Sequence, residues 1–528
     1  MAQLNKKPLS RKFIRSGIAN NSQKNVLKLA SLTVGIALWA VLLSACSDQT
    51  QGLNPALEQV RAQRAQEFGP CERTSTTQAA GLVSESRCLI FNRPENPDDP
   101  ASRLIPLQVM VLPSLKSAST ADPLVILAGG PGQAATDMAR LGQIFRTLRQ
   151  DRDIVLLDQR GTGKLSPMQC QTSQDQLTDL SLDHALSVQT GILNRCLAEM
   201  DASPEYYTTD LAIADLEALR IYLGYAQFNL WGASYGTRVA LAFLKAYPDS
   251  VRTVVIDGVA PAELLMPLYI ERDASRALDK IFEDCSADPD CATRFPELVQ
   301  HFLDLGQRLS EAQTLALNDP LTDQPLSLTV DRDWLHSALR TPLYGRATQR
   351  LVPFIIEQAY QGNYAPLLSV SSLDGDISEA MFLSVICSED VARIDPGKLA
   401  LEQAEPYSLK SRLLNIPVIE ACKLWPTRVI PQSFFDPVVS SKPVLIFSGD
   451  LDPVTPPTWG DSVMPGLSNS RHLIVEGFAH NTLGSVCTID MITKFIDSTD
   501  LITLDTACLS NLKRRPFFTG AGGSSASD

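Results

Sequence analysis

The stretch NLWGASYGTR, residues 229–238, sets Ser234 between Gly232 and Gly236. Gly-x-Ser-x-Gly arises by chance in about one chain in six of this length at average composition, so the setting decides what it means. Phe228, Leu230 and Trp231 end a short apolar run before the motif. After it, Val239, Ala240, Leu241, Ala242, Phe243 and Leu244 continue as a helical segment that breaks at Pro248. A strand that turns sharply into a helix holds a serine in a strained conformation with its hydroxyl exposed. Side chains at 232 and 236 would collide with the neighbouring strand or helix, which gives both glycines a physical reason. Ser234 therefore reads as a nucleophile.

The chain has 528 residues, 44% of them hydrophobic and 20% charged, as for an ordinary globular enzyme. That length makes one large domain with an insertion, or two domains. The formal charge of −13 hides an asymmetry, because residues 1–45 hold seven Lys or Arg and no acid, leaving −20 for the remainder. So acidic a surface argues against nucleic acid as a partner.

Lys6, Lys7, Arg11, Lys12 and Arg15 precede the apolar run LASLTVGIALWAVLLSAC, the pattern of an export signal over residues 1–45. Leu43-Ser44-Ala45-Cys46 resembles the bacterial lipobox, whose cysteine is lipidated and becomes the first mature residue. That resemblance implies an exported protein held at a membrane by the acyl chains on Cys46. By resemblance to Gram-negative lipoproteins, Ser47 rather than an acid after the cysteine implies the outer membrane, facing the periplasm, or the cell surface, over retention at the inner membrane.

Setting Cys46 aside leaves ten cysteines in a chain bound for an oxidising compartment, so disulfides are the default. Connectivity does not follow from sequence, but the cysteines fall in local pairs. These are Cys71 with Cys88, Cys170 with Cys196, Cys285 with Cys291, Cys387 with Cys422, and Cys487 with Cys508. A metal site would call for Cys-x-x-Cys or nearby Cys/His pairs, which the sequence lacks.

Outward from the serine, the runs RLIPLQVMVL, PLVILAGG, DIVLLDQ, FNLWG, TVVIDG, PVLIFSG and RHLIVEG read as strands. Several are too continuously apolar to be half-exposed, which predicts a mostly parallel sheet covered by helices on both faces. Between Pro261 and about Phe435 the pattern turns to helical stretches such as SRALDKIFEDC and PELVQHFLDLGQRLSEAQ. The expected organisation is a tether and extension over 46–84, a first core part over 85–261, a helical cap over 262–436, a second core part over 437–515 and a disordered tail over 516–528.

A serine hydroxyl needs a histidine to take its proton and an acid to orient that histidine. His472 and His480 follow the resumed strands. His472 lies inside RHLIVE and reads as an ordinary strand residue, whereas His480 lies in the loop GFAHNTLG just past the strand, where a base belongs. FSGDLDPVTP offers Asp450 and Asp452 as the acid, and spacing does not choose between them. The tetrahedral oxyanion needs backbone N–H donors, which Tyr235 and the loop LAGGPGQAA supply, the latter through Gly130 ahead of Gly129. DQRGTGKLS is not a phosphate loop, because Asp158 stands where that pattern needs glycine and Leu165 where it needs Ser or Thr.

Together GGPG (129–132), DQRGTG (158–163), GASYG (232–236), CSED (387–390), GDLDPVTP (449–456) and FAHN (478–481) resemble the prolyl and tripeptidyl aminopeptidase branch of the α/β-hydrolases, over about residues 85–510. Ala128 stands where proline iminopeptidases usually carry histidine, and Ser166 comes one position late after RGTG. The first departure moves the match towards secreted, tripeptidyl-type enzymes. The resemblance implies an α/β-hydrolase fold with a large helical cap, the triad Ser234, Asp452 and His480, and no metal or organic cofactor. It implies an exopeptidase acting on peptide substrates, with Glu389 and Asp390 of the CSED segment binding the free amine. A carboxylesterase or lipase-like hydrolase with the same triad is the alternative.

Overall fold

The computed structural model describes residues 55–71, 85–116, 121–170, 178–320, 322–371, 377–482, 484–520 and 522–524. The export signal and Cys46 lie outside the described residues. Residues from Pro55 onward form one compact unit.

The strands of the main sheet are β1 (Gly69–Pro70), β2 (Arg87–Pro94), β3 (Leu104–Leu112), β4 (Leu124–Leu127), β5 (Ile154–Leu157), β6 (Phe228–Ala233) and β7 (Val251–Asp257). A two-stranded sheet of β8 (Gln313–Asn318) and β9 (Pro325–Val330) follows, before β10 (Val444–Gly449) and β11 (Ser470–Val475) complete the main one. Its order is β1-β2-β3-β5-β4-β6-β7-β10-β11. From β5 to β11 neighbouring strands pair parallel, while β1, β2 and β3 form an antiparallel edge.

Strands β4, β5 and β10 are buried at every position, as strands covered on both faces must be. On one face Leu216, Leu219, Val239, Phe243 and Leu244 of the helices Thr209–Leu223 and Tyr235–Ala246 pack against alternate strand residues such as Val125, Leu230 and Val254. On the other, Phe145 and the helix Val486–Ser498, through Ile492 and Phe495, cover Ile126, Trp231 and Phe447.

Between β7 and β10 the chain leaves the sheet for a largely helical insertion with its own core of Leu278, Phe302, Trp334, Leu335, Ile355 and Leu367. Two expectations need correcting here. The stretch PELVQHFLDLGQRLSEAQ is helical only over Leu298–Arg308, and Gln313 starts β8, which pairs antiparallel with β9. Alternating Leu315 and Leu317 face Leu328 and Leu326 across this hairpin, so period-two patterning overrides the helical reading. The tail does not start at 516: Phe517 is 2% exposed in the insertion's core, and the N–H of Phe518 donates to Arg350 O at 3.0 Å.

The structure joins Cys71–Cys88, Cys170–Cys196, Cys285–Cys291, Cys387–Cys422 and Cys487–Cys508. Alkylation of the folded chain is expected to modify none of these ten cysteines before reduction, and all of them after reduction and unfolding. Peptide mass mapping reads the outcome, and several labelled before reduction would contradict the pairing.

Candidate active site

Strand β6 ends at Ala233, and the helix Tyr235–Ala246 begins at once, with Ser234 at φ 55°, ψ −126° between them. A Cβ on residue 232 would stand 2.2 Å from Gly236 O, and one on residue 236 would stand 2.1 Å from Leu127 O. Backbone therefore occupies both places where a side chain would go, which fixes the sharpness of the turn. The loop after β4 runs alongside: a Cβ on Gly129 would lie 3.2 Å from Ser234 Cβ. Gly129, ranked behind Gly130 in the sequence, is thus the loop residue against the serine, with the Gly130 N–H on the next peptide.

The candidate acid and base, Asp452 and His480, come from the loops after β10 and β11. His480 Nδ1 lies 2.9 Å from Asp452 Oδ2 and 3.1 Å from Oδ1. Asp452 is completely buried, and its carboxylate also accepts from the N–H of Val454, the N–H of Thr455 and the hydroxyl of Thr455, each at 2.8 Å. Burial alone would push its pKa up, but the imidazole and these donors outweigh that and hold it below the ordinary carboxylate value. Burial likewise works against a charged His480, yet bonding to Asp452 raises its pKa above the usual histidine value.

Asp450 is placed otherwise: its carboxylate accepts the Gly477 N–H at 2.8 Å and takes no part in the histidine contact. His472 sits in β11 and bonds to Asp461 and Ser448. Among the described residues no group of three or more His, Cys, Asp or Glu side chains is arranged to hold a metal ion.

The insertion touches the loops after β4, β10 and β11. Arg276 donates to Asp450 O at 3.0 Å and to Asp452 O at 2.8 Å, and Gln349 Nε2 donates to Leu451 O at 2.9 Å. The His480 N–H donates to Tyr344 O at 3.2 Å, with the Tyr344 ring edge-on to the imidazole. The Ser378 N–H donates to Gly132 O at 2.9 Å.

Glu389 and Asp390 are not open to a substrate amine. Both are fully buried in a π-helical turn, Ile386–Asp390. Glu389 accepts from the N–H and hydroxyl of Thr209 at 2.7 and 2.9 Å, and Asp390 pairs with Arg238 at 2.8 Å and accepts the Met266 N–H at 3.2 Å. The cause is Arg238 itself, a buried cation one turn into the helix after Ser234, which demands carboxylates of its own. An ammonium could reach neither acid without breaking these contacts. Thr209 Oγ1 also lies 2.7 Å from the Tyr235 hydroxyl, so the pair braces the first turn of that helix.

Sequence reasoning missed Arg238, which sits inside the quoted motif, and Asp158. Asp158 accepts from the N–H and hydroxyl of Thr136, both at 2.8 Å, and so anchors the loop that carries Gly129 and Gly130.

A model of the α/β-hydrolase fold family matches residues 122–484. The chain is 25% identical over 387 residues to YuaR of Escherichia coli K12, which is described as a hydrolase, with 68% of this chain and 74% of that one covered. It is 22% identical over 522 residues to serine protease Hip1 of Mycobacterium tuberculosis H37Rv, covering 91% and 98%. It is 22% identical over 380 residues to a proline iminopeptidase of Aeromonas sobria, covering 68% and 83%.

A base must be neutral to accept a proton, so kcat/KM is expected to rise with pH through the raised pKa of His480, above the ordinary histidine value. Asp452→Asn should lower kcat by about three to four orders of magnitude and move this limb to lower pH, whereas Asp450→Asn should keep most of the activity. Equal losses in two folded variants would overturn the assignment of the acid.

Proposed function

The chain belongs to the α/β-hydrolase fold family and is a serine hydrolase of that fold, and on this premise we propose that it is an exported exopeptidase that releases residues or short peptides from free peptide N-termini. The observation that carries the reading is the Asp452–His480 pair, which lies against Gly258, one residue on from the Asp257 main-chain oxygen that accepts the Ser234 N–H. Relatives named serine protease and proline iminopeptidase support a peptide substrate. The insertion supports exopeptidase action, because a roof held against the loops after β4, β10 and β11 favours a chain end over the middle of a folded polypeptide.

In the proposed reaction His480 Nε2 takes the Ser234 hydroxyl proton, since Nδ1 is engaged by Asp452. The Ser234 oxygen bonds to the scissile carbonyl carbon, and the oxyanion faces the N–H groups of Tyr235 and Gly130. The C–N bond then breaks as His480 gives its proton to the leaving amine. Water, deprotonated by the same histidine, cleaves the resulting ester and restores the serine. These residues complete acyl transfer between them.

For its location we propose lipidation at Cys46 after export, in keeping with the charged and apolar leader and the lipobox-like LSAC. Five disulfides suit the oxidising side of a membrane.

Ser234→Ala should be folded yet without turnover or fluorophosphonate labelling. Aminoacyl and tripeptidyl chromogenic amides with a free amine should be cleaved and their N-acetylated forms spared. Equal cleavage of free and acetylated peptides would overturn the exopeptidase reading, and preference for simple esters would replace it with a carboxylesterase. Cys46→Ser should move the protein from the membrane fraction to the soluble one and remove the acyl mass from its N-terminus.

A further inference from the structure

Asp257, the last residue of β7, belongs to no motif in the sequence, yet it touches both halves of the site. Its main-chain oxygen accepts the N–H of Ser234 at 3.0 Å. Its carboxylate accepts from Thr482, two residues past His480, through the N–H at 2.8 and 3.0 Å and through the hydroxyl at 2.8 Å. Asp257 and Thr482 are both completely buried, so neither contact is exchanged with water. The next residue, Gly258, has φ +68°, and a Cβ there would lie 3.0 Å from Thr455 Oγ1, 3.4 Å from His480 Cε1 and 3.5 Å from Asp452 Oδ2. At the end of β7 the nucleophile turn, the acid loop and the histidine loop thus meet the same pair of residues.

We infer that Asp257 is a positioning residue for the hydrolytic site, holding the nucleophile turn by its main chain and the histidine loop by its carboxylate, so that Ser234 and His480 share one register. The inference rests on the triad proposed above. Without the clamp the histidine loop keeps its contacts to Asp452, to Tyr344 O and, through Phe478 O, to the Leu451 N–H, but loses its tie to the nucleophile turn, and a displacement of about 1 Å between nucleophile and base costs about a hundredfold in rate.

The role is electrostatic as well as geometric. The titratable groups facing Asp257 are His480, from the loop after β11, and Asp452, from the loop after β10. His480 in turn faces Asp452, Asp257 and Arg340, the last from the insertion. Negative charge on Asp257 favours the imidazolium that forms as Ser234 attacks, while Arg340 opposes it. Burial outweighs the Thr482 hydrogen bonds and the nearby imidazole and pushes the Asp257 pKa up to about 7, so its charge changes across the pH range in which such an enzyme works.

Three variants separate these roles. Asp257→Asn keeps an acceptor for the Thr482 N–H and can donate to its hydroxyl, but carries no charge. Asp257→Ala removes clamp and charge together, and Thr482→Val removes the hydroxyl arm alone with similar shape. Asp257→Ala should lower kcat by about a hundredfold with little change in KM and slow fluorophosphonate labelling of Ser234 to match. Thr482→Val should lower kcat by about tenfold, roughly one lost hydrogen bond. Asp257→Asn should lose less on the high-pH plateau than Asp257→Ala, while its acid limb moves to lower pH. The proposal is overturned if Asp257→Ala keeps the parent kcat and pH profile, or if the losses in all three variants follow the folded fraction measured by thermal unfolding. Retained activity in Ser234→Ala would instead remove the triad reading, an outcome independent of these variants.

Discussion

Between the end of β4, the end of β6 and the first turn of the following helix there is room for backbone and nothing else. Gly236 O fills the place of a side chain on residue 232, and Leu127 O fills it on residue 236. This closeness forces the chain through Ser234 in a conformation that few residues adopt. It also brings the Gly129–Gly130 loop against the serine. The rest of the site is arranged around that fixed point: the neighbouring parallel strands β7, β10 and β11 deliver their C-terminal loops to the same edge of the sheet, as open parallel sheets do.

What holds those loops is a repeated local device. Asp158 grips Thr136, Asp257 grips Thr482, Asp452 grips Thr455 and Glu389 grips Thr209, each carboxylate accepting both the N–H and the hydroxyl of one threonine. Each grip satisfies an acid that burial would otherwise penalise. Burial still dominates in three of them, raising the pKa of Asp158 to about 6 and those of Asp257 and Glu389 to about 7. A carboxyl raised in the folded state contributes stability that is full below its unfolded pKa, about 4, and is lost as pH rises through 6 to 7. Asp452, lowered by His480, runs the opposite way, its contribution lost as pH falls through its folded pKa. Activity gains from neutral His480 as pH rises, so over that window the site gains function while these three acids give up stability.

Much of this was legible in the sequence, for identifiable reasons. The buried strands β4, β5 and β10 announce themselves by the apolar runs LVIL, IVLL and VLIF, because a strand covered on both faces has no polar side. Strand β2 was not seen: at the antiparallel edge it is mostly half-exposed, and its run RCLIFNRP mixes charge with apolar residues. The β8–β9 hairpin was hidden inside a helical pattern that continues only as far as Arg308. In the site, His480 was recognisable because it stands in a loop just past a late strand, the place from which a base can reach the serine. Asp257 and Asp158 were not, since an acid before or near glycine at a strand end looks like a turn former until its threonine partner is known. Glu389 and Asp390 stood out only by resemblance, and the partners they meet differ from the expected one. Arg238 stood in plain view in NLWGASYGTR, but which acid a buried arginine meets depends on a segment far along the chain.

Phe517, seated in the core of the insertion, gives the molecule an order of assembly. Translation delivers Ser234 first, then the insertion, then Asp452 and His480, and only afterwards the aromatic residue that packs into the insertion's core. A partly made chain therefore carries a nucleophile without a base, and an insertion whose apolar interior is still open. Premature termination upstream of Phe517 leaves a product that proteases and chaperones can recognise by that exposed interior.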